Sequence, residues 1–454
     1  MKSTMRLFVI VFASLALAVA GCSAGSNTKP NPSTNDEDLS PAVKPVESAG
    51  MQEFTYWYPW GGDSETWDKW RIAEFEKDHP GYKVNAVYVP PDSGISNGKL
   101  LAAIAGGTPP DVIQTNDGGY FLASQGALEP IDTYLEEMGF DKDELIETFH
   151  PIMKYKDHSY FYPMDSNVSL LYYNVQMFRE AGLDPDRPPT TIEELDQAAQ
   201  ALSKVEGNKI ERLGFIPWVD GGDDAFLLGW IFGATFYDTE TDKVTIHNQP
   251  LIDMYNWMKT YAQKYNPEKI KSFTSGFGGA FSPDHPFFSG KVAMTVNGNW
   301  FANALKLYAP DVEYRVAPIP APEGGRKNAT TLATNLLAIP KGAKNPAAAM
   351  KFIVYATQPR INADNINMWR SLSVYKNTGD EIVWNTQEDQ VYEVVRKVAS
   401  NPESGHPVLS SVANEMSNTL KLIRDSVIYN NSDPAELLKK AQADLQETAD
   451  RSKK

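Results

Sequence analysis

Phe54-Thr55-Tyr56-Trp57-Tyr58-Pro59-Trp60-Gly61-Gly62-Asp63-Ser64-Glu65 opens the segment whose pattern sets the fold. Its first five residues are aromatic or β-branched and read as a strand, and Pro59-Trp60-Gly61-Gly62 reads as a turn. Asp63, Ser64 and Glu65 then offer caps and first-turn acids to a helix running to about Asp78. His79-Pro80-Gly81 stops it, and residues 83–89 return as a second strand. Leu100, Leu101 and Ile104 mark a short helix closed by Gly106-Gly107 and Pro109-Pro110. Residues 111–115 form a third strand and end in the loop Asn116-Asp117-Gly118-Gly119. Strand, helix, strand in alternation implies parallel strands with crossover helices, an α/β fold.

The rhythm continues. Residues 168–173, 214–216, 244–246 and 291–296 are strand-like. Thr191-Ile192-Glu193-Glu194 is a capping box that opens a helix with Leu195, Ala199 and Leu202 on its buried side. Pro346 at a first helical turn opens a helix that stops before Pro359. Asp433-Pro434 opens the last helix, with Leu437, Leu438, Ala441 and Leu445 facing inward. No repeat of fixed period occurs. A body of about 400 residues exceeds what one core usually serves, roughly 250–300 residues, so two lobes are expected.

The N-terminus sets the compartment. Lys2 and Arg6 precede the apolar run of residues 7–12, continued by Leu15, Leu17 and Val19 and too short for a comfortable membrane span. It ends in Val19-Ala20-Gly21-Cys22, which resembles a bacterial lipobox. Residues 1–21 then read as a lipoprotein signal peptide, with Cys22 as the lipid-bearing (palmitate-type) mature N-terminus. The plainer alternative is an export signal with an incidental cysteine. Cys22 is the only cysteine, so no internal disulfide can form. Residues 22–50, rich in Ser, Asn, Pro and acids, read as a flexible tether. Loss of Lys2 and Arg6 with the signal takes the formal charge from −16 to −18. Such a chain repels nucleic acid and anionic lipid and suits neutral or cationic solutes.

Five segments together carry a family resemblance. They are Phe75-Glu76-Lys77-Asp78-His79-Pro80-Gly81, Pro109-Pro110-Asp111-Val112-Ile113, and Tyr162-Pro163-Met164 through Tyr173-Asn174. They continue with Phe288-Ser289-Gly290-Lys291-Val292-Ala293-Met294 with Trp300, and with Leu337-Ala338-Ile339-Pro340 followed by Asn345-Pro346-Ala347-Ala348-Ala349. In this order, residues 51 to about 447 resemble the extracellular solute-binding proteins of ATP-driven (ABC) sugar importers, including the maltose-binding proteins. The resemblance implies a two-lobed periplasmic-binding-protein-like fold, each lobe a mostly parallel sheet flanked by helices, with ligand in the cleft between them. Residues 51–165 with 340–368 would form lobe one, and 168–335 with 370–454 lobe two. It further implies a carbohydrate ligand, a membrane permease as partner, no cofactor and a monomer on the outer face of the cell membrane.

In open α/β sheets ligands sit at the carboxyl ends of strands. Those loops hold Trp60 with Asp63 and Glu65, Asn116 with Asp117, and Asn297 with Trp300. A sugar needs flat apolar surface for its C–H faces and fixed carboxylates or amides for its hydroxyls. By resemblance, Asn116-Asp117 falls at a hydroxyl-binding acid, Asp165 and Asn167 at an acidic contact in a crossing between lobes, and Trp300 at a stacking tryptophan. Trp218 and Asp220 are placed by loop position alone. Trp369 and Arg370 resemble a cleft loop, although the Gly-x-Leu-Pro form of many relatives is missing; Arg370 leaves acidic sugars open. For any one tryptophan the alternative is a core position, and for Asp63 or Ser64 simple helix capping.

Other chemistries fit less well. Gly94-Ile95-Ser96-Asn97-Gly98 matches a hydrolase elbow, but Pro90-Pro91-Asp92-Ser93 separates it from the preceding strand. The six histidines never take the spacing of a helical zinc pair, and loop 238–242 lacks the central glycine of a calcium hand. A secreted carbohydrate-active hydrolase using paired carboxylates is the alternative of a different class.

Overall fold

The computed structural model describes residues 50–90, 98–116, 119–207, 209–219, 225–378, 386–406 and 408–451. Cys22 and the signal peptide, residues 22–49 of the tether, residues 94–97 of the elbow-like pattern, Asp117, Asp220 and the side chain of Asp63 lie outside the described residues.

Strand β1 (Gln52–Tyr58) buries Phe54, Tyr56 and Tyr58 on one face, as its alternation requires. Helix α1 (Glu65–Asp78) carries the chain to β2 (Tyr82–Tyr88), and β3 (Val112–Thr115) joins the other edge; both neighbours run parallel to β1. Ser64 does not cap α1 through its side chain. Its hydroxyl donates instead to the Gly61 carbonyl at 2.6 Å, within the turn that precedes the helix. The Pro109-Pro110-Asp111 turn has a clear purpose. Asp111 accepts the Thr55 N–H at 2.9 Å and the Asn345 N–H at 2.7 Å, joining β1 to the start of a distant helix.

The crossings between lobes are strands of the same sheet. β4 (Tyr162–Asn174) is 13 residues long, enough to serve both lobes. Its first half pairs antiparallel with β7 (Leu332–Ala338), and its second half with β5 (Met294–Gly298) and β6 (Tyr314–Ala317). The order is β2-β1-β3-β7-β4-β5, with β6 also on β4. Among the described strands parallel pairing is confined to β2-β1-β3, with isolated parallel bridges at Leu213–Val292, Thr191–Ala321 and Thr331–Gly405; the central sheet as a whole is mixed. Residues 214–216, read as a strand, form no bridge, and of 291–293 only Val292 forms one, so β5 starts later than the sequence suggests. Pro163 has no N–H for the ladder, and the register shift at Asn335/Leu336 falls opposite it. A third crossing follows at Leu372, whose backbone exchanges hydrogen bonds with Ser166 at 2.7 and 2.9 Å.

Two large apolar clusters and one small one, around Leu213, Ile216, Ile270 and Val292, result among the described residues. In the first, Phe54, Phe75 and Phe352 meet with ring centroids 5.2–6.0 Å apart. The second gathers Leu195 and Leu202 of α2 (Ile192–Leu202) with Met254, Tyr255, Met416, Leu420, Leu438 and Leu445. The capping box of α2 forms: Thr191 Oγ1 accepts the Glu194 N–H at 3.2 Å, while Glu194 accepts the Thr190 N–H at 2.7 Å.

Candidate functional site

Where the crossings meet the carboxyl ends of β1, β3 and β5, the chain encloses a cavity of about 280 Å³. Period two in the crossings puts Asp165 and Asn167 on one face of β4, beside their β7 partners Asn335 and Ala333. Asn335 joins three elements. Its Oδ1 accepts Trp60 Nε1 at 3.3 Å and its Nδ2 donates to Asp165 Oδ1 at 2.9 Å, so loop, second crossing and first crossing hold one another.

Beneath lies a buried charge network. Arg71 and Asp68 of α1 form an ion pair that is 0% and 1% exposed. The Tyr56 hydroxyl lies 2.8 Å from Asp68 Oδ1 and 2.7 Å from Gln114 Oε1, and Arg71 Nη2 donates to Gln114 at 3.2 Å. The Arg71 guanidinium also sits 5.2 Å from the Trp67 ring centroid. Burial pushes the Asp165 carboxyl up to about 6, against the pull of Asn335, Arg71 and Asn365.

The other wall is aromatic. Trp300 follows β5 and precedes α3 (Phe301–Tyr308). A methyl group at Gly298 would lie 2.2 Å from Trp300 Nε1, so glycine there lets the indole fold against the strand end. Asn299, between them, accepts the Val168 N–H at 2.8 Å and donates to the Arg370 carbonyl, tying the first and third crossings together. Phe281 stacks on Trp300 with centroids 4.9 Å apart at 23°, and lies near-perpendicular to Trp369, 6.3 Å away at 77°. Trp369 ends helix α5 (Pro359–Trp369), which follows α4 (Pro346–Thr357).

Three buried donors on the cavity wall meet no protein acceptor: Trp67 Nε1, Trp369 Nε1 and Ser371 Oγ. All three atoms are buried from solvent, so they lie behind the surface that a ligand in the cavity would meet. Among the described residues no Lys, Arg or His lines this cavity. Two larger cavities, of about 440 and 630 Å³, have lysines on their walls and no tryptophan among their described lining residues.

The cavity brings together Trp60, Asn116, Asp165, Asn167, Trp300 and Trp369 of the residues singled out by sequence. Three others are not among its lining. Glu65 pairs with Lys69 and with the Tyr58 hydroxyl, and the Lys69 hydrogen bond chiefly holds its carboxyl below the usual range. Trp218 packs against the apolar clusters of the second half of the chain. Arg370 takes the left-handed conformation (φ 57°) that ends α5, and its guanidinium donates back to Ile366 at 3.4 Å. Sequence reading missed Trp67, Asp68, Gln114, Phe281, Asn335 and Asn365, which also line the cavity. Asn335 was within reach, two residues before the recognised crossing motif. Asn365 also left a signal, standing four residues after Ile361 on the buried stripe of α5.

A family model described as bacterial extracellular solute-binding protein matches residues 58–363. The chain belongs to this family. Its members are extracellular, and among the described residues no helix is long and apolar enough to cross a membrane. The arabinooligosaccharide-binding protein of Bacillus subtilis is 22% identical to this solute-binding protein over 397 residues, covering 86% of this chain and 83% of its own. An uncharacterized ABC transporter extracellular-binding protein of Pyrococcus horikoshii is 24% identical over 375 residues, 78% of this chain and 76% of its own. Among solved structures, CpMnBP1 with mannotriose bound superposes with a TM-score of 0.80 at 31% identity, over 87% of this chain and 100% of that one. The two-lobed α/β architecture is therefore shared with known sugar-binding proteins.

Proposed function

We propose that this solute-binding protein captures a short neutral oligosaccharide in the cavity between its lobes and delivers it to the membrane permease of an ABC importer. The observation that carries the reading is the composition of the cavity: tryptophan and phenylalanine rings on one side and carboxylates and amides on the other, with no cation among the described lining residues. Aromatic faces suit the C–H faces of pyranoses, and the polar groups match hydroxyls in both directions. Sugars bearing phosphate or carboxylate would bring negative charge toward Asp68 and Asp165 with no lysine or arginine among the described lining residues to receive it. The relatives named for arabinooligosaccharides and mannotriose support the same class. A cavity of about 280 Å³ suits a short segment of such a chain, with the rest running out along the cleft.

Hydrolysis is the weaker reading. Among the described lining residues the carboxylates are Asp68 and Asp165, and Asp68 is already engaged by Arg71 and Tyr56, which speaks against its service in a glycosidase pair. Incubation with mannotriose, maltotriose and arabinotriose, followed by chromatography, separates the two readings. Saturable binding with the sugar recovered intact is expected; shorter products would reverse the assignment.

The proposal includes a lipid anchor at Cys22, with residues 22–50 as tether, holding a monomer beside its permease. Cys22→Ser is expected to move the protein from the membrane fraction to the soluble one. Retention of that variant on membranes would refute the anchor.

A further inference from the structure

The ring of Phe281 stands at the tip of a closed loop. Gly278 N–H donates to the Asp284 carbonyl at 3.1 Å and Ser282 N–H to the Gly279 carbonyl at 2.9 Å, so residues 278–284 form a compact turn with their ends pinned. Its base is fixed by fully buried His285, whose ring packs 4.8 Å from both Phe288 and Phe301. From this rigid base Phe281 projects into the cavity and is 43% exposed, although large apolar side chains gain from burial. One ring face lies on Trp300, centroids 4.9 Å apart, which is contact distance and leaves no room for a sugar ring between them. Trp300 in turn has Gly298 against its pyrrole ring. The aromatic surface that Phe281 leaves free on this wall is its outer face, with Trp369 near-perpendicular beside it.

We propose that Phe281 is the platform on which a bound sugar ring stacks, with Trp300 as its backing. The assignment rests on the carbohydrate reading above and transfers to Phe281 the stacking role that the sequence suggested for Trp300. Stacking of a sugar's C–H face on the ring, with the apolar area it buries, is enough for at least about a tenfold change in affinity.

Calorimetric titration of the full chain with mannotriose, maltotriose and arabinotriose tests it, using Phe281→Ala, Phe281→Tyr and Trp300→Phe. Phe281→Ala is expected to weaken binding of the accepted sugar at least about tenfold, while Phe281→Tyr and Trp300→Phe, which keep a flat ring in place, stay within about threefold. The ligand-free melting temperature of Phe281→Ala should match wild type, because the ring is exposed. Phe281→Ala binding as tightly as wild type or tighter overturns the proposal, and a weak Trp300→Phe would then mark Phe281 as a cover over Trp300. Wild-type protein that binds none of the three sugars would overturn the carbohydrate reading and this assignment together.

Discussion

Arg71→Ala is expected to lower the stability of the ligand-free protein by about 3–5 kcal/mol, the cost of breaking a buried ion pair from one side. Arg71 is completely buried, and its guanidinium faces Asp68, Gln114, Tyr56 and Trp67. Truncation leaves Asp68, only 1% exposed, as an uncompensated charge beneath the cavity and removes a cation that also favours ionised Asp165. The pair itself is a weak source of net stability, since both ions lost their water to form it. Arg71→Met combined with Asp68→Asn should therefore recover most of what the single change loses. Urea unfolding of the three variants checks this. An Arg71→Ala protein as stable as wild type would mean that water reaches the network and that its burial is overstated.

Asp165 should dominate the pH dependence of binding. Its carboxyl titrates at about 6 in the ligand-free protein because burial penalises the charge. Sugar hydroxyls donate to the ionised form and lower that value, so binding releases a proton. Affinity is then expected to fall about tenfold between pH 7 and pH 5, as the carboxylate fills with protons before ligand arrives. Stability of the ligand-free fold has the opposite sign. The folded value lies above the ordinary 3.8, so the unfolded carboxyl ionises first as pH rises. Asp165 therefore favours the fold most below about pH 4 and progressively less as pH climbs through 6. Asp165→Asn should remove the pH slope and cost about 1.5–3 kcal/mol of binding, the contribution of a charged acceptor. Titrations at pH 5, 6 and 7 on both proteins decide it; a wild-type affinity flat across that range would exclude Asp165 from the contact.

How much of this was legible beforehand follows from the range of the interactions. β1, α1, β2 and β3 are written locally, in alternating aromatics, in first-turn acids and in the His79-Pro80-Gly81 stop. The loop positions of Trp60, Asn116 and Trp300 follow from those elements alone. What stayed hidden depends on contacts between distant segments. The antiparallel crossings pair residues about 170 apart, such as Asp165 with Asn335, and nothing in either neighbourhood announces the other. Trp67 and Asp68 read as scaffold because a helix near its start is expected to bury residues and place acids whatever the site does. Glu65 and Arg370 differ from expectation in the opposite sense, being absent from the described cavity lining. Each sits beside a wall residue in sequence, but Glu65 pairs with Lys69, and a left-handed cap turns Arg370 back on its own helix. Phe281 was overlooked because a glycine- and proline-rich loop carries no periodicity from which a direction could be read.

Capture between lobes has a mechanical consequence. A ligand that touches Trp60 and Asp165 on one side and the Phe281–Trp300 wall on the other favours the closed arrangement by its difference in affinity for the two states. Small-angle scattering of the full chain, with and without saturating mannotriose, maltotriose or arabinotriose as the titrations select, measures this directly. The account predicts a smaller radius of gyration with the bound sugar, and an unchanged radius at proven saturation would contradict it.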